Sequence, residues 1–159
     1  RTLIFDHPTL RLRNVGKVLR LRQVGSKVYL SIKAGIEHSP TSPFQKVQNS
    51  ELEINDFMQG FQFFEGLGFV AFRYQEKLRT GFTAQGGIRI EIDQYPKIPA
   101  YLEIEGFNEK DVESFLEKIG YKLSDSVKIS ATEVLRHYGM KDVDVIRFPN
   151  SNISEGIFK

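Results

Sequence analysis

Apolar and polar residues alternate along several stretches of this chain, and alternation with a period of two predicts β-strands. The runs "KVLRLRQ" and "KVYLSIK" flank Gly25 and Ser26, which predicts a β-hairpin. "TLIF", "SELEI", "IRIEIDQ" and "AYLEIE" predict further strands, and "FVAFRYQEKLRTGF" predicts one long strand. The stretch from Ala34 to Asn49 is rich in Ser, Pro, Gln and Gly, which predicts a surface loop.

Three stretches carry helix signals. Asp56 can cap a helix through "FMQGFQFFEGL", although Gly60 weakens this prediction. "NEKDVESFLEKIG" predicts a helix that begins after Asn108 and ends at Gly120. "SATEVLRHYG" predicts another helix, with Ser130 at the start of a capping box. The balance of elements favours an antiparallel α+β domain, mostly strand, with helices packed outside.

Six of these strands have one apolar face and one charged face. A solvated face of an antiparallel sheet explains any single strand. The whole set of strands is harder to explain in this way, because the residues on the charged faces are mostly Arg, Lys and Glu. Thr and Ser suit an exposed strand as well or better. The signs also segregate by strand. The basic group is Arg20, Arg22, Lys33, Arg73, Lys77 and Arg79, and the acidic group is Glu51, Glu53, Asp93, Glu103 and Glu105.

This segregation of charge suggests a chemistry. A sheet that curls into a barrel turns its charged face into a lumen. Arg and Lys in such a lumen suit a polyanion, because guanidinium groups match phosphate oxygens. Paired carboxylates such as Glu103 and Glu105 suit Mg²⁺ or Mn²⁺, hard cations that bind oxygen and bridge to phosphates. The pattern therefore predicts a divalent metal site beside a phosphate chain.

Composition narrows the classes of function. The chain has 159 residues, of which 40% are hydrophobic and 26% charged, as in a globular protein of one domain. It has 22 basic and 20 acidic residues and a net charge of +2, which argues against a general nucleic-acid binder. It has no Cys, so disulfides, zinc thiolates and thiol nucleophiles are excluded. We see no apolar run that could span a bilayer and no signal peptide, so a cytoplasmic location is the default expectation.

Eight short motifs follow one another in order along the chain. They are Phe5-Asp6 in "LIFDHPTLRL", Arg-x-Arg in "VLRLRQ", the lysine that ends "VYLSIK", Glu-x-Glu in "ELEI", Lys-x-Arg in "EKLRTGF", Asp93 in "IRIEID", Glu-x-Glu in "YLEIEG", and the helix "SATEVL". Each is weak alone, but their order and spacing from Leu3 to Gly139 resemble the CYTH superfamily. This superfamily, the triphosphate tunnel metalloenzymes, includes class IV adenylyl cyclases, thiamine triphosphatases and inorganic triphosphatases.

The resemblance implies an eight-stranded antiparallel, tunnel-like β-barrel over residues 1–139, with helices outside, and a C-terminal tail over residues 140–159. It implies a divalent-metal-dependent enzyme that hydrolyses an organic or inorganic triphosphate, or a class IV adenylyl cyclase that forms cAMP from ATP. Glu103 and Glu105 would hold Mg²⁺ or Mn²⁺. Glu51 and Glu53 would be further metal ligands or would instead orient basic side chains. The phosphate-binding residues would be Arg20, Arg22, Lys33, Arg73, Lys77 and Arg79.

One family motif has no counterpart in the printed sequence. Members open with a strand that carries Glu-x-Glu-x-Lys, and nothing before "TLIF" matches it. We therefore expect that the first strand of the barrel is missing from this chain: either the chain lacks its natural start, or it is a degenerate member of the superfamily. A module that binds polyphosphate or nucleotide without turnover is the alternative function. ATP, thiamine triphosphate and inorganic triphosphate are the candidate partners; nucleic acid and membranes are not expected, and a homodimer is left open.

Overall fold

The computed structural model describes residues 1–37, 46–141 and 145–151. Its strands and helices are β1 (Thr2–Asp6), α1 (Arg11–Asn14), β2 (Lys17–Val24), β3 (Lys27–Glu37), β4 (Lys46–Ile54), α2 (Phe57–Gly66), β5 (Val70–Gln75), β6 (Leu78–Thr83), β7 (Arg89–Gln94), β8 (Tyr101–Glu105), α3 (Glu109–Lys118), α4 (Ala131–His137) and β9 (Val145–Ile146). Short 3₁₀ turns lie at Gln85–Gly87 and Leu123–Asp125. The predicted α+β class with antiparallel pairing is confirmed, and the chain divides into two compact units.

The first unit is built on a six-stranded sheet in the order β4-β3-β2-β1-β5-β9. All its pairs are antiparallel except β5 with β9, which run parallel. The predicted hairpin is confirmed, since β2 pairs with β3 across a turn in which Gly25 has a φ of 57°. Such a left-handed conformation favours glycine. Helix α2 covers the apolar face of this sheet and packs Phe61 and Phe64 against Leu3 and Phe5.

Gly60 allows α2 to lie close to the sheet. A Cβ atom at this position would lie 2.6 Å from Ile54 Cδ1 and 2.9 Å from Leu21 Cδ1. The residue that weakened the helix prediction therefore has a packing role, and tertiary contacts override its low helix propensity. The predicted cap is confirmed, because the Asp56 side chain accepts a hydrogen bond from the backbone N–H of Gln59.

The second unit is built on the antiparallel sheet β6-β7-β8. Helix α3 packs Val112 and Leu116 against Ile88 next to this sheet. The two predicted caps are confirmed: Asn108 accepts from the backbone of Asp111, and Ser130 opens a capping box at α4. Within the described ranges, no helix is long and apolar enough to cross a membrane.

The prediction of one long strand from Phe69 to Phe82 is wrong. The chain forms β5 and β6, which belong to different sheets. Strand β5 ends at Gln75, and the next residue, Glu76, bonds to the segment at β9. The Glu76 backbone N–H donates to the Ile146 carbonyl at 2.8 Å, and its carboxylate accepts from the Phe148 N–H at 2.9 Å.

The predicted loop from Ala34 to Asn49 is wrong at both ends. Strand β3 continues to Glu37 and β4 begins at Lys46, with Ala34 opposite Gln48. Nearly all of β4 is exposed, so backbone pairing holds a polar sequence in strand form. The centre of the predicted loop, residues 38–45, lies outside the described residues. The turn predicted after β1 contains the short helix α1, whose backbone N–H groups at Leu12 and Arg13 donate to Asp6.

Candidate active site

Polar and charged side chains share one face of the six-stranded sheet, opposite α2. The register places Arg20 opposite Ser31 and Ser31 opposite Glu51, so these residues share a face, as alternation predicted. Arg20 Nε donates to Ser31 Oγ at 3.1 Å and Arg20 Nη2 to Asn49 Oδ1 at 3.3 Å. The half-buried Arg20 thus donates to two neutral side chains on this face.

Two further predicted phosphate-binding residues lie in this sheet. Arg73, paired with Ile4 of β1, is only 1% exposed, and its Nη2 donates to the Lys141 carbonyl at 3.0 Å. A buried guanidinium needs such acceptors because an unpaired buried charge is costly. Lys33 lies opposite Val18 and belongs to the same parity as Ser31.

Glu51 and Glu53 of β4 lie beside basic residues of the same unit. Arg22 Nη2 donates to Glu51 Oε2 at 2.8 Å, and the Arg22 guanidinium lies 5.4 Å from the Tyr29 ring centre. Lys27 Nζ donates to Glu53 Oε2 at 3.1 Å, with both side chains more than half exposed. These contacts fit the orienting role that the sequence left open, and a metal role for the two glutamates stays a prediction.

Charged residues also share one face of the three-stranded sheet. Arg79 lies opposite Asp93, Glu91 opposite Glu103, and Arg89 opposite Glu105. Arg89 Nη2 pairs with Glu105. The antiparallel register therefore brings residues from three strands onto one surface of the second unit.

Asp93 is the buried anchor of this surface. It has no exposed side-chain area, and it accepts hydrogen bonds from Arg79 Nε at 2.6 Å, Arg79 Nη2 at 2.7 Å and Lys77 Nζ at 2.6 Å. Burial alone would raise the pKa of Asp93, but the hydrogen bonds from Arg79 and Lys77 outweigh it and lower this pKa. Burial lowers the pKa of Lys77 despite its bond to Asp93. Burial also opposes the charge on Arg79, but Asp93 outweighs it and raises the Arg79 pKa.

Three carboxylates, from Glu91, Glu103 and Glu105, form what we call the carboxylate cluster. Each offers one oxygen, and these oxygens lie within 4.8 Å of one another. Glu91 Oε2 is buried and forms an ion pair with Nη1 of Arg79. Burial raises the pKa of Glu103, Arg79 and Lys77 oppose this shift, and Glu105 adds to it.

The carboxylate cluster fits a hard divalent cation. Its donors are carboxylate oxygens, which Mg²⁺ and Mn²⁺ prefer, and three of them converge on one face of the sheet. Gly81 lies opposite Glu91 on the same face, and a Cβ atom at Gly81 would meet nothing within 4 Å. The backbone there leaves open space beside the cluster.

The structure divides the residues that the sequence predicted between the two units. Glu91 was missed as a candidate ligand, although it lies two residues before Asp93 on the same strand face. The register of β7 and β8, which alternation alone does not provide, is what places Glu91 beside Glu103. The first unit contains the predicted residues Arg20, Arg22, Lys33, Arg73, Glu51 and Glu53. The second unit contains Lys77, Arg79, Glu103 and Glu105.

Comparison with known families decides the classification. The family model described as the CYTH domain matches residues 2–138. The chain belongs to the CYTH family. This family consists of metal-dependent enzymes that act on small triphosphates. No curated protein matches the sequence.

Solved structures agree with the CYTH fold. A candidate adenylate cyclase from Vibrio parahaemolyticus is similar with a TM-score of 0.67 and 17% identity, over 85% of this chain and 78% of that one. A candidate adenylyl cyclase from Hippeastrum, described as having a dominant triphosphatase activity, is similar with a TM-score of 0.62 and 22% identity, over 90% and 83%. A conserved hypothetical protein from Pyrococcus furiosus is 25% identical with a TM-score of 0.56, over 92% and 76%.

Proposed function

We propose that this CYTH domain is a divalent-metal-dependent enzyme that hydrolyses a triphosphate. The observation that carries the proposal is the arrangement on the three-stranded sheet, where the carboxylate cluster adjoins two cations held by the buried Asp93. Oxygen ligands for a metal and donors for phosphate then lie on one surface. The dominant triphosphatase activity of the similar Hippeastrum protein favours hydrolysis over cyclisation.

In this proposal the basic residues bind and orient the phosphates. Each guanidinium or ammonium donates charged hydrogen bonds to phosphate oxygens, worth about 1.5–3 kcal/mol apiece. Because the donors are held by neighbouring side chains before substrate arrives, little reorganisation is needed as charge develops. The residues assigned this role are Arg20, Arg22, Lys33, Arg73, Lys77 and Arg79.

Glu91, Glu103 and Glu105 would hold the metal, with Mg²⁺ and Mn²⁺ as the candidates. A bound divalent cation neutralises charge on phosphate oxygens and polarises the phosphorus for attack. The protein's own contribution is to keep three carboxylates together on a rigid sheet. Glu51 and Glu53 are proposed to orient Arg22 and Lys27.

The test is a product assay with purified protein. Tripolyphosphate, thiamine triphosphate and ATP are each incubated with Mg²⁺ or Mn²⁺ and with excess chelator, and phosphate, pyrophosphate and cAMP are resolved by ion-exchange chromatography. We expect metal-dependent release of phosphate, lost in the double variant Glu103→Gln, Glu105→Gln. The matched control is Glu113→Gln, Glu117→Gln on the exposed side of α3, which should keep wild-type turnover.

Other products would change the conclusion in defined ways. Pyrophosphate and cAMP from ATP would identify a cyclase that uses the same metal site. Binding of tripolyphosphate without any product, in either metal, would identify the non-catalytic binding module and would overturn the enzymatic proposal.

A further inference from the structure

Arg79 contacts two members of the carboxylate cluster as well as its anchor. Its Nη2 donates to Glu103 Oε2 at 3.0 Å, and its Nη1 pairs with Glu91. The same guanidinium donates from Nε to Asp93 Oδ1 at 2.6 Å. One cation therefore contacts two of the three candidate metal ligands and offsets part of their charge.

Those ligands need a positive charge near them. Like charges at the separation of the carboxylate cluster repel one another, and the repulsion grows as water is excluded. The Arg79 side chain is 29% exposed and the Glu91 side chain is 16% exposed, so water screens the cluster only in part. Among the described residues, Arg79 forms ion pairs with Glu91 and Glu103, and the charge of Lys77 also acts on Glu103. The largely exposed Arg89 forms an ion pair with Glu105.

A divalent cation and Arg79 cannot both use these oxygens fully. A metal ion on Glu91 and Glu103 takes the lone pairs that Nη1 and Nη2 now contact, and it repels the guanidinium. The bonds from Nε and Nη2 to Asp93 do not involve the carboxylate cluster, so they hold the side chain in place. The donors released from Glu91 and Glu103 are then available to a phosphate oxygen.

We propose that Arg79 is a displaceable internal cation that couples metal binding to triphosphate binding. In the metal-free protein it offsets part of the charge of Glu91 and Glu103, and metal binding releases its donors to the phosphate chain. The inference rests on the proposed metal site. It adds that metal and triphosphate favour each other's binding through the side chain of Arg79. Coupling of this kind is reciprocal and amounts to about 5- to 150-fold in affinity.

The proposal makes Arg79 an inhibitor of metal binding when no phosphate is present. The experiment is a Mn²⁺ titration of the full chain, followed by electron paramagnetic resonance, without phosphate in the buffer. Arg79→Gln removes the competing charge, so its Mn²⁺ affinity should exceed that of the wild type about fivefold or more. Arg79→Lys keeps a charge but lacks the fork that reaches several carboxylates, so its affinity should be intermediate. Arg79→Lys also tests the proposal if Arg79→Gln does not fold.

Arg89→Gln is the matched control, because it removes an equal charge that is 62% exposed and whose ion pair, among the residues described, is with Glu105. Its Mn²⁺ affinity should change by less than about twofold. Weaker or unchanged Mn²⁺ binding in both Arg79 variants, with binding still lost in Glu103→Gln, Glu105→Gln, would overturn the coupling and leave the metal site intact. If wild type itself binds no Mn²⁺, the coupling and the proposed metal site fail together.

Discussion

The buried carboxylate of Asp93 holds Arg79 by two hydrogen bonds, from Nε at 2.6 Å and from Nη2 at 2.7 Å. The two residues lie directly opposite each other on β6 and β7, so the backbone register sets their contact. Lys77 Nζ donates to the same carboxylate. Asp93 is therefore a positioning residue for two of the proposed phosphate-binding cations.

Asp93→Asn should destabilise the protein and weaken binding of tripolyphosphate. Breaking a buried ion pair costs about 3–5 kcal/mol, but both cations are partly exposed and screened, so we expect a loss of about 2–3 kcal/mol. Urea unfolding measures this free energy and calorimetry measures the affinity. Asp111→Asn, on the exposed first turn of α3, is the control and should change stability by less than about 1 kcal/mol. Equal stability of the two variants would contradict the anchoring role of Asp93.

Glu91→Gln should lose metal affinity as strongly as Glu103→Gln. Glu91 Oε2 belongs to the carboxylate cluster, whereas Glu53 lies in the other unit and pairs with Lys27. Removing one charged ligand from a three-carboxylate site should weaken Mn²⁺ binding by about tenfold or more. Glu53→Gln carries the same substitution and should leave the Mn²⁺ affinity within about twofold. If Glu53→Gln lost more Mn²⁺ affinity than Glu91→Gln, the metal site would lie at β4 and not at the carboxylate cluster.

Gly81→Val should fold normally and lose turnover. The backbone of Gly81 does not need glycine, since its φ is not positive, and valine suits a strand. The branched side chain would fill the open space opposite Glu91. Thr80→Val places valine on the other face of β6 and should retain turnover. Circular dichroism checks folding and phosphate release checks activity. Full activity in Gly81→Val would show that neither substrate nor metal uses this space.

Glu76 should make stability depend on pH in the acid range. Burial would raise its pKa, but hydrogen bonds from Tyr74 Oη at 2.6 Å and from the Phe148 N–H outweigh burial and lower it below 4.5. A carboxyl group whose pKa is lower in the folded state stabilises the fold at pH values above its pKa in the unfolded chain, near 4.5. This stabilisation is lost as the pH falls through the pKa of the folded state.

The stability difference between wild type and Glu76→Gln should therefore be larger at pH 7 than at pH 3. Urea unfolding at the two pH values measures it. Glu65→Gln, on the exposed part of α2, is the control and should show a much smaller change with pH. If the stability difference between wild type and Glu76→Gln were constant with pH, the contact between Glu76 and the segment after β9 would not depend on the charge of Glu76.

Sequence patterns predicted the elements whose signal is local. Alternation located the strands and sorted Arg20 and Arg79 onto charged faces, and caps at Asp56, Asn108 and Ser130 placed three helices. Features that depend on distant contacts were missed. The alternation does not mark the break after β5, the contacts of Glu76 are with residues about seventy positions later, and β9 has no period of its own.

The same limit explains what the sequence could not predict at the candidate site. Alternation assigns a residue to a face but does not say which residues lie across the sheet. The pairing of Glu91 with Glu103 comes from the register of β7 and β8. The ion pairs of Glu51 and Glu53 depend likewise on the register of β3 and β4, with Arg22 and Lys27 nearby.

Calorimetric titration with phosphate chains of increasing length tests the central claim most directly. Basic residues held on one sheet, such as Lys77 and Arg79, can each meet a different phosphate of one chain. With Mg²⁺ present, tripolyphosphate should bind wild type at least about a hundredfold more tightly than monophosphate, since each further charged hydrogen bond adds about 1.5–3 kcal/mol. Arg79→Ala removes such a bond and should weaken the binding of tripolyphosphate by about 1.5–3 kcal/mol. Equal affinity for monophosphate and tripolyphosphate would contradict the account.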